Sequence, residues 1–163
     1  MSYQADTSGA RRGLRAFEAR IGDAIEEVAT FARTRVAARA GSSYMRDAGA
    51  GAGRRDPQDD GPLRIVTGRL ERSLRGRRFQ GRQEGVLNVR STGTGYRIEI
   101  GSRVPYAAVH ERGFSGVVQR ASGPVNLTIP ARPYAAPAAR DEARRISREA
   151  RDVLRRLGRE VFA

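Results

Sequence analysis

Arginine is the residue type that could do most chemistry in this sequence of 163 residues. Basic residues number 31 and acidic ones 18, which gives a formal net charge of +13 at pH 7. Residues 63–82 alone hold seven arginines and one acid. Guanidinium groups hold phosphates through bidentate hydrogen bonds, so nucleic acid is the first partner to consider and an acidic protein surface the second. The candidate contact residues are Arg69, Arg72, Arg75, Arg77, Arg78 and Arg82.

Groups that could carry out catalysis are few and poorly arranged. The chain has one histidine, His110, and no serine lies in a nucleophile-elbow pattern that would recruit it. There is no cysteine, and a metal site would need His110 together with carboxylates because no second histidine exists. The sequence therefore predicts no enzyme, no cofactor and no metal. It assigns His110 a structural hydrogen bond that holds a short turn against a sheet.

Two long helices are predicted to frame the chain. Apolar residues recur at steps of three and four over residues 11–40, as on one face of a helix: Leu14, Phe17, Ile21, Ile25, Val28 and Phe31. A second stripe predicts a C-terminal helix over residues 137–163, with Pro137 in its first turn. Residues 1–10 are expected to form a flexible N-terminus without the apolar run of a signal peptide. Residues 41–62, rich in Gly, Ala and Asp, predict a mobile loop.

Residues 63–136 are predicted to hold a short helix and an antiparallel sheet. Thr67 can cap the helix, and Leu70 and Leu74 then share one face. Apolar and polar residues alternate around a turn at residues 91–95, and two further short strands surround a turn at residues 122–124. The sequence thus predicts one α+β domain over residues 1–163, with two long helices packed on a small antiparallel sheet. It contains no apolar run of about 18 residues, so no membrane contact is expected.

Three short motifs occur in order along the chain. The first is Thr67-Gly68-Arg69-Leu70-Glu71-Arg72-Ser73, the second runs from Val104 to Gly113, and the third from Ile129 to Tyr134. Together with the flanking helices they resemble the neck and tail-completion proteins of long-tailed bacteriophages. This is the virion morphogenesis or minor-tail-protein Z-like group, with gene-transfer-agent and prophage relatives. The positions that match are Thr67, Gly68, Leu70, Tyr106, His110, Gly113, Pro130, Arg132, Pro133 and Tyr134.

The resemblance implies a structural, non-enzymatic virion protein at the head–tail junction or the head-proximal end of the tail. It implies a homo-oligomeric ring, with a hexamer expected, that is assembled in the host bacterial cytoplasm. Neighbouring neck, tail-terminator or tail-tube proteins would be its partners. The arginine cluster would line the DNA path, with non-specific contact to double-stranded DNA, or meet an acidic adjacent ring. The residues alone leave open a free, sequence-independent nucleic-acid-binding protein, and an enzyme or unrelated assembly factor.

Overall fold

A computed structural model describes residues 8–47, 63–65, 68–93 and 95–162, which begin and end with a long helix. Helix α1 spans Ser8–Arg39 and runs into a short π-helical turn over Ala40–Tyr44. Strand β1 (Met45–Asp47) pairs in parallel with strand β2 (Leu63–Ile65). Helix α2 then covers Arg69–Leu74.

Two hairpins and a short helix precede the last helix. Strands β3 (Gly85–Thr92) and β4 (Gly95–Ser102) form the first antiparallel pair. Helix α3 (Ala107–Arg112) follows, and strands β5 (Phe114–Arg120) and β6 (Gly123–Ile129) form the second pair. Helix α4 spans Ala135–Phe162. This arrangement confirms the α+β class predicted from the sequence.

Helices α1 and α4 bury an apolar seam between them. Its centre is formed by Ala24 and Val28 of α1 and by Val153 and Leu157 of α4. Burying a side chain such as valine or leucine contributes about 1.5–3 kcal/mol relative to leaving it exposed. The seam is the most extensive packing between any two elements of the described chain, and it joins segments far apart in sequence.

Ion pairs along the seam show that the two helices run antiparallel. Residue numbers rise along α1 while those of the partners fall along α4: Arg20–Glu160, Glu27–Arg156, Arg35–Glu142 and Arg39–Asp141. The Nε and Nη2 groups of Arg35 donate to both carboxylate oxygens of Glu142 at 2.9 and 3.2 Å. Hydrogen bonds from Arg39 and Tyr44 lower the pKa of Asp141 below its ordinary value. These ion pairs fix the position of α1 relative to α4 along their common axis.

A second core cluster lies where the short elements meet the long helices. Serine 73 is buried beside it, and the Ser73 hydroxyl donates to the Leu70 carbonyl at 2.7 Å. Four of the apolar members are alanines, whose small side chains let neighbouring backbones approach closely. The buried members are Val36, Ala37, Ala40, Met45, Leu70, Leu74, Val104, Ala107, Tyr134 and Ala138.

The antiparallel strands form two separate hairpins rather than one sheet, and with β1–β2 the described strands make three two-stranded pairs. The predicted alternation in β4 holds, since Ile98 and Ile100 pack against the two core clusters. The parallel β1–β2 pair was not predicted, because strands of three residues are too short to show a two-residue period. The first hairpin turn is also shorter than predicted, since Thr92 pairs with Gly95.

Several predicted boundaries also move. Helix α1 begins at Ser8, within the segment expected to be flexible, and the remainder of that prediction, residues 1–7, lies outside the described residues. Residues 41–47 of the predicted mobile loop form a helical turn and a strand, held there by Met45, which is 3% exposed in the core. Residues 48–62 of that loop lie outside the described residues.

Replacing Gly85 with alanine is expected to destabilise the fold. A Cβ at Gly85 would lie 2.2 Å from the Ser73 carbonyl oxygen, where β3 passes α2. Backbone on both sides of this contact would have to move, at a cost of about 1–3 kcal/mol in the free energy of unfolding. Denaturant unfolding measures this loss. Gly101→Ala is the matched control, since its Cβ would meet only the Val86 Cβ at 4.0 Å, and equal stability of the two variants would contradict the prediction.

Candidate functional site

The arginine turn, defined as residues 77–82, is a tight reversal of the chain between α2 and β3. Phe79 and Arg82 exchange both main-chain hydrogen bonds, with N···O distances of 3.1 and 3.0 Å. Gln80 and Gly81 lie between them with φ angles of 47° and 78°. Two consecutive positive φ angles are typical of a type I′ turn, and a non-glycine residue adopts one at a cost. The backbone that carries these arginines is therefore closely defined.

Phe79 anchors the arginine turn to α2. The guanidinium carbons of Arg69 and Arg72 lie 5.9 and 5.7 Å from the centroid of the Phe79 ring. Both distances fall within the range of about 6 Å over which a cation is attracted to an aromatic face. Two of the six predicted contact arginines are thus engaged with the fold itself.

Arg69 also forms the main ion pair of this region. Its Nε donates to Glu84 Oε2 at 2.7 Å, and its Nη2 donates to Oε1. Glu84 is 8% exposed, and the hydrogen bond from Arg69 holds its pKa below the ordinary value, with the charge of Arg82 adding to the effect. Because removing one partner of a buried ion pair is costly, Arg69 has a structural task here.

The predicted contact arginines differ in whether the fold gives them an internal partner. Arg75 donates through Nε to Glu71 Oε1 at 2.9 Å, one helical turn away. Arg77, Arg78 and Arg82 are exposed, and no carboxylate of the described residues forms an ion pair with them. Three guanidinium groups on one fixed turn can donate paired hydrogen bonds to phosphate or carboxylate oxygens.

The three sequence motifs meet in one place. Leu70 of the first, Ala107 of the second and Tyr134 of the third belong to the same buried cluster. Tyr134 is 3% exposed, and burial raises the pKa of its hydroxyl group. The three motifs therefore converge on one core cluster.

The base of the β5–β6 hairpin joins the second motif to the third. The Arg132 main-chain N–H donates to the His110 carbonyl at 2.6 Å. Gly113 has a φ of 77°, and a Cβ there would lie 2.9 Å from the Ile129 carbonyl oxygen across the hairpin. Only glycine satisfies both the positive φ and this close approach. The two ends of the hairpin are consequently held together at its root.

Glu111 is the structural residue that the sequence interpretation missed. Its Oε2 accepts hydrogen bonds from the main-chain N–H groups of Tyr134 and Ala135 at 3.0 and 3.1 Å, and its Oε1 accepts one from Ala136 at 2.9 Å. A carboxylate at a helix N-terminus satisfies unpaired donors and interacts favourably with the helix dipole. Because of this cap, α4 begins at Ala135 rather than at Pro137.

His110 does not form the expected hydrogen bond through Nδ1. That atom is buried without a hydrogen-bond partner, and the ring lies edge-on to Tyr106 with centroids 5.6 Å apart. Burial lowers the pKa of His110, and the charge of Arg132 lowers it further. The imidazole thus acts as a packing group, while the carbonyl of the same residue makes the bond that joins the motifs.

The other motif positions have local roles. Gly68 occupies the N-cap position of α2 with a φ of 67°. Pro130 and Pro133 lie in the connection between β6 and α4, where neither needs a main-chain donor. Thr67, predicted to cap α2, lies outside the described residues.

Neither a metal cluster nor a membrane helix is found in the described part of the chain. No three His, Asp or Glu side chains there are grouped as ligands for a metal ion. The helices described also lack a stretch both long and apolar enough to cross a membrane. Guanidinium donors, which recognise anions, are among the groups that the fold exposes.

The family of the chain follows from its match to a family model. The model of the phage virion morphogenesis family matches residues 56–157, which include α2, both hairpins, α3 and most of α4. The chain belongs to this family, which confirms the resemblance carried by the three motifs. Its role accordingly lies in the structure or assembly of a phage particle. No curated protein and no solved structure matches the chain significantly.

Replacing Glu84 with glutamine is expected to reduce stability in a pH-dependent way. The pKa of Glu84 is lowered in the folded chain, so ionised Glu84 stabilises the fold above its unfolded pKa of about 4.3. That contribution disappears as the pH falls through the folded pKa. The free energy of unfolding of wild type should therefore exceed that of Glu84→Gln at pH 7, and the two should converge in acid.

Urea unfolding of both proteins over a series of pH values measures this effect. Glu71→Gln is the control, because it removes only the ion pair with Arg75, an i,i+4 pair of a kind worth about 0.3–0.5 kcal/mol. A difference between wild type and Glu84→Gln that stays constant from neutral to acidic pH would show that the Arg69 pair does not stabilise the fold.

Proposed function

We propose that this chain is a non-enzymatic structural subunit at the head–tail junction or the head-proximal end of a phage tail. In this proposal several copies form a ring around the DNA path, and the ring joins or completes the tail. Membership of the virion morphogenesis family supports the structural role. The observation that supports a ring around DNA is the arginine turn, which exposes the guanidinium groups of Arg77, Arg78 and Arg82.

The chemistry of these three arginines suits a passage for DNA. Attraction between guanidinium and phosphate groups does not depend on base sequence and weakens as salt rises. Each subunit would contribute three exposed arginines that have no ion pair among the described residues, while the exposed Arg75 pairs with Glu71 and the exposed Arg72 lies over Phe79. Contact of this strength attracts the genome without holding it in place.

The partners in this proposal are further copies of the chain, with a hexamer expected, and the neighbouring neck, tail-terminator or tail-tube proteins. A lumen formed by the ring places the arginine turn near DNA. An adjacent ring with an acidic surface would use the same guanidinium groups, because carboxylates accept the same paired hydrogen bonds as phosphates.

Deleting the gene is expected to stop particle completion after the head is filled. Electron microscopy of the lysate should find filled heads beside separate tails, or tails of abnormal length. Heads and tails form independently, and without the ring they are neither joined nor finished. Expression of the intact gene from a plasmid should restore joined particles. Joined, infectious particles from the deletion strain would contradict the proposal.

Reversing the charge of the arginine turn is expected to prevent completion without unfolding the subunit. The variant carries Arg77→Glu, Arg78→Glu and Arg82→Glu, and the readouts are infectious titre and the thermal unfolding of the purified chain. A fall in titre of several orders of magnitude with little change in unfolding is the expected result. The matched control reverses three exposed arginines on α4, namely Arg144, Arg148 and Arg159.

The control separates local contact from net charge, since both variants change the charge of the chain equally. Normal titre from the arginine-turn variant, or an equal loss from the control, would show that the arginine turn is not the contact surface. A salt titration of DNA binding by the isolated subunit tests the alternative of a free nucleic-acid-binding protein. Tight binding with a steep salt dependence would favour that alternative, because three phosphate contacts give a logarithmic slope of only about −3.

A further inference from the structure

The β5–β6 hairpin has one apolar face and one polar face. Directly paired residues of antiparallel strands share a face, and successive residues alternate between faces. The polar face includes Ser115, Gln119 and Thr128, with Val117 among them. The opposite face is apolar except for Arg120 at its tip, and its large side chains are Phe114, Val118, Val125, Leu127 and Ile129.

Neither core cluster of the described chain includes this apolar face, although Val118, Leu127 and Ile129 are partly buried. No residue of β5 or β6 belongs to either core cluster or packs against one. Phe114 and Val125 each remain 37% exposed, although they point to the apolar side. A two-stranded hairpin alone is marginally stable in water, so a hairpin of this composition needs a surface to pack against.

A groove on the same chain offers such a surface. It has a volume of 760 Å³ and lies between β4, α3 and the start of α4. Small apolar side chains of the two helices line it: Ala107, Ala108, Ala135, Ala136 and Ala139. No residue of β5 or β6 is among its lining residues in the described part of the chain. The residues that the structure describes therefore leave the groove unfilled.

One wall of the groove is an unpaired strand edge. Residues 98–102 of β4 line it in succession, and β4 pairs with β3 alone among the described strands. An unpaired edge presents main-chain N–H and C=O groups that can pair with a further strand. An amphipathic hairpin can satisfy both features at once, since it supplies a strand for the edge and an apolar face for the alanine floor.

Charge favours a second copy of this chain as the occupant. Residues 114–129 contain a single charged residue, Arg120, although the whole chain carries +13. The groove holds two acids, Glu99 and Glu111, against one arginine, Arg112. The hairpin is thus weakly positive and the groove weakly negative. Two strongly basic copies can approach each other here with less repulsion than at the arginine-rich surfaces.

We infer that the β5–β6 hairpin of one copy binds in the groove of the next copy. Its apolar face lies on the alanine floor, and one of its strands lies along the free edge of β4. The hairpin and the groove are different surfaces of the chain, so the contact is head-to-tail. Such a contact repeats from copy to copy until a ring closes. This inference rests on the proposed function only in taking the closed assembly to be the ring of the virion.

Two single substitutions test the contact from its two sides. Val125→Glu places a charge on the apolar face of the hairpin and leaves the groove intact. Ala139→Glu places a charge in the groove and leaves the hairpin intact. Analytical ultracentrifugation of the purified full chain should find oligomers larger than a dimer for wild type, and self-association weakened about tenfold or more for either variant.

Mixing the two variants gives the distinguishing result. The intact hairpin of Ala139→Glu can enter the intact groove of Val125→Glu. The altered hairpin of Val125→Glu and the altered groove of Ala139→Glu then remain, and neither can bind a third subunit. We therefore expect the mixture to form one-to-one dimers and nothing larger. A symmetric interface, or an interface with a different protein, would give no such rescue and would overturn the inference.

Matched controls lie next to each substitution. Val117→Glu is on the polar face of the same hairpin, where Val117 is 61% exposed. Ala143→Glu is an exposed position one turn beyond Ala139 on α4 and outside the groove lining. Both controls should associate like wild type. Equal loss of association in the controls, or a wild-type chain that stays monomeric at every concentration, would overturn the inference.

Cross-linking tests the same contact inside assembled particles. The chain has no cysteine, so a Val125→Cys and Ala108→Cys double variant reacts with a short bismaleimide only at the chosen positions. A ladder of linked copies is expected, and Val117→Cys with Ala108→Cys should give none. Particles that complete normally but give no ladder would overturn the hairpin contact while leaving the proposed function standing. Gene deletion with normal particles would overturn the function instead.

Discussion

The carboxylate of Glu111 is the contact on which the rest of the arrangement depends. It accepts three main-chain hydrogen bonds at the start of α4 and so fixes that helix relative to α3. The β5–β6 hairpin connects α3 to α4, so fixing these two helices also fixes the two ends of the hairpin. Helix α4 then runs from the cap along α1 and closes the seam that joins the two ends of the described chain.

Charge in this chain serves two separate tasks. Along the long helices, arginines are neutralised across the seam by Glu27, Glu142, Asp141 and Glu160, so a basic protein can still pack its helices together. Around α2, carboxylates neutralise two of the clustered arginines, and the arginine turn keeps its charge. Three of the positive charges are consequently left without a carboxylate partner among the described residues.

The sequence was sufficient for features that have a repeating pattern, and insufficient for those that depend on distant partners. The long helices and the inward face of β4 follow from periods of 3.6 and two residues. The Glu111 cap involves main-chain donors up to 25 residues away, so no local pattern could reveal it. The six arginines of the candidate site look alike in sequence. Only the positions of Glu71, Glu84 and Phe79 separate those with an internal partner from those with none among the described residues.

The positive φ of Gln80 has a consequence for how little the arginine turn must change when it meets a partner. A loop that must order itself on meeting a partner loses conformational entropy at each encounter, and this loss weakens the contact. Here the reversal is already closed by two main-chain hydrogen bonds, so only side chains need to settle. A polyanion moving past such a surface would meet low friction, since each guanidinium group can exchange one phosphate for the next without any rearrangement of the backbone.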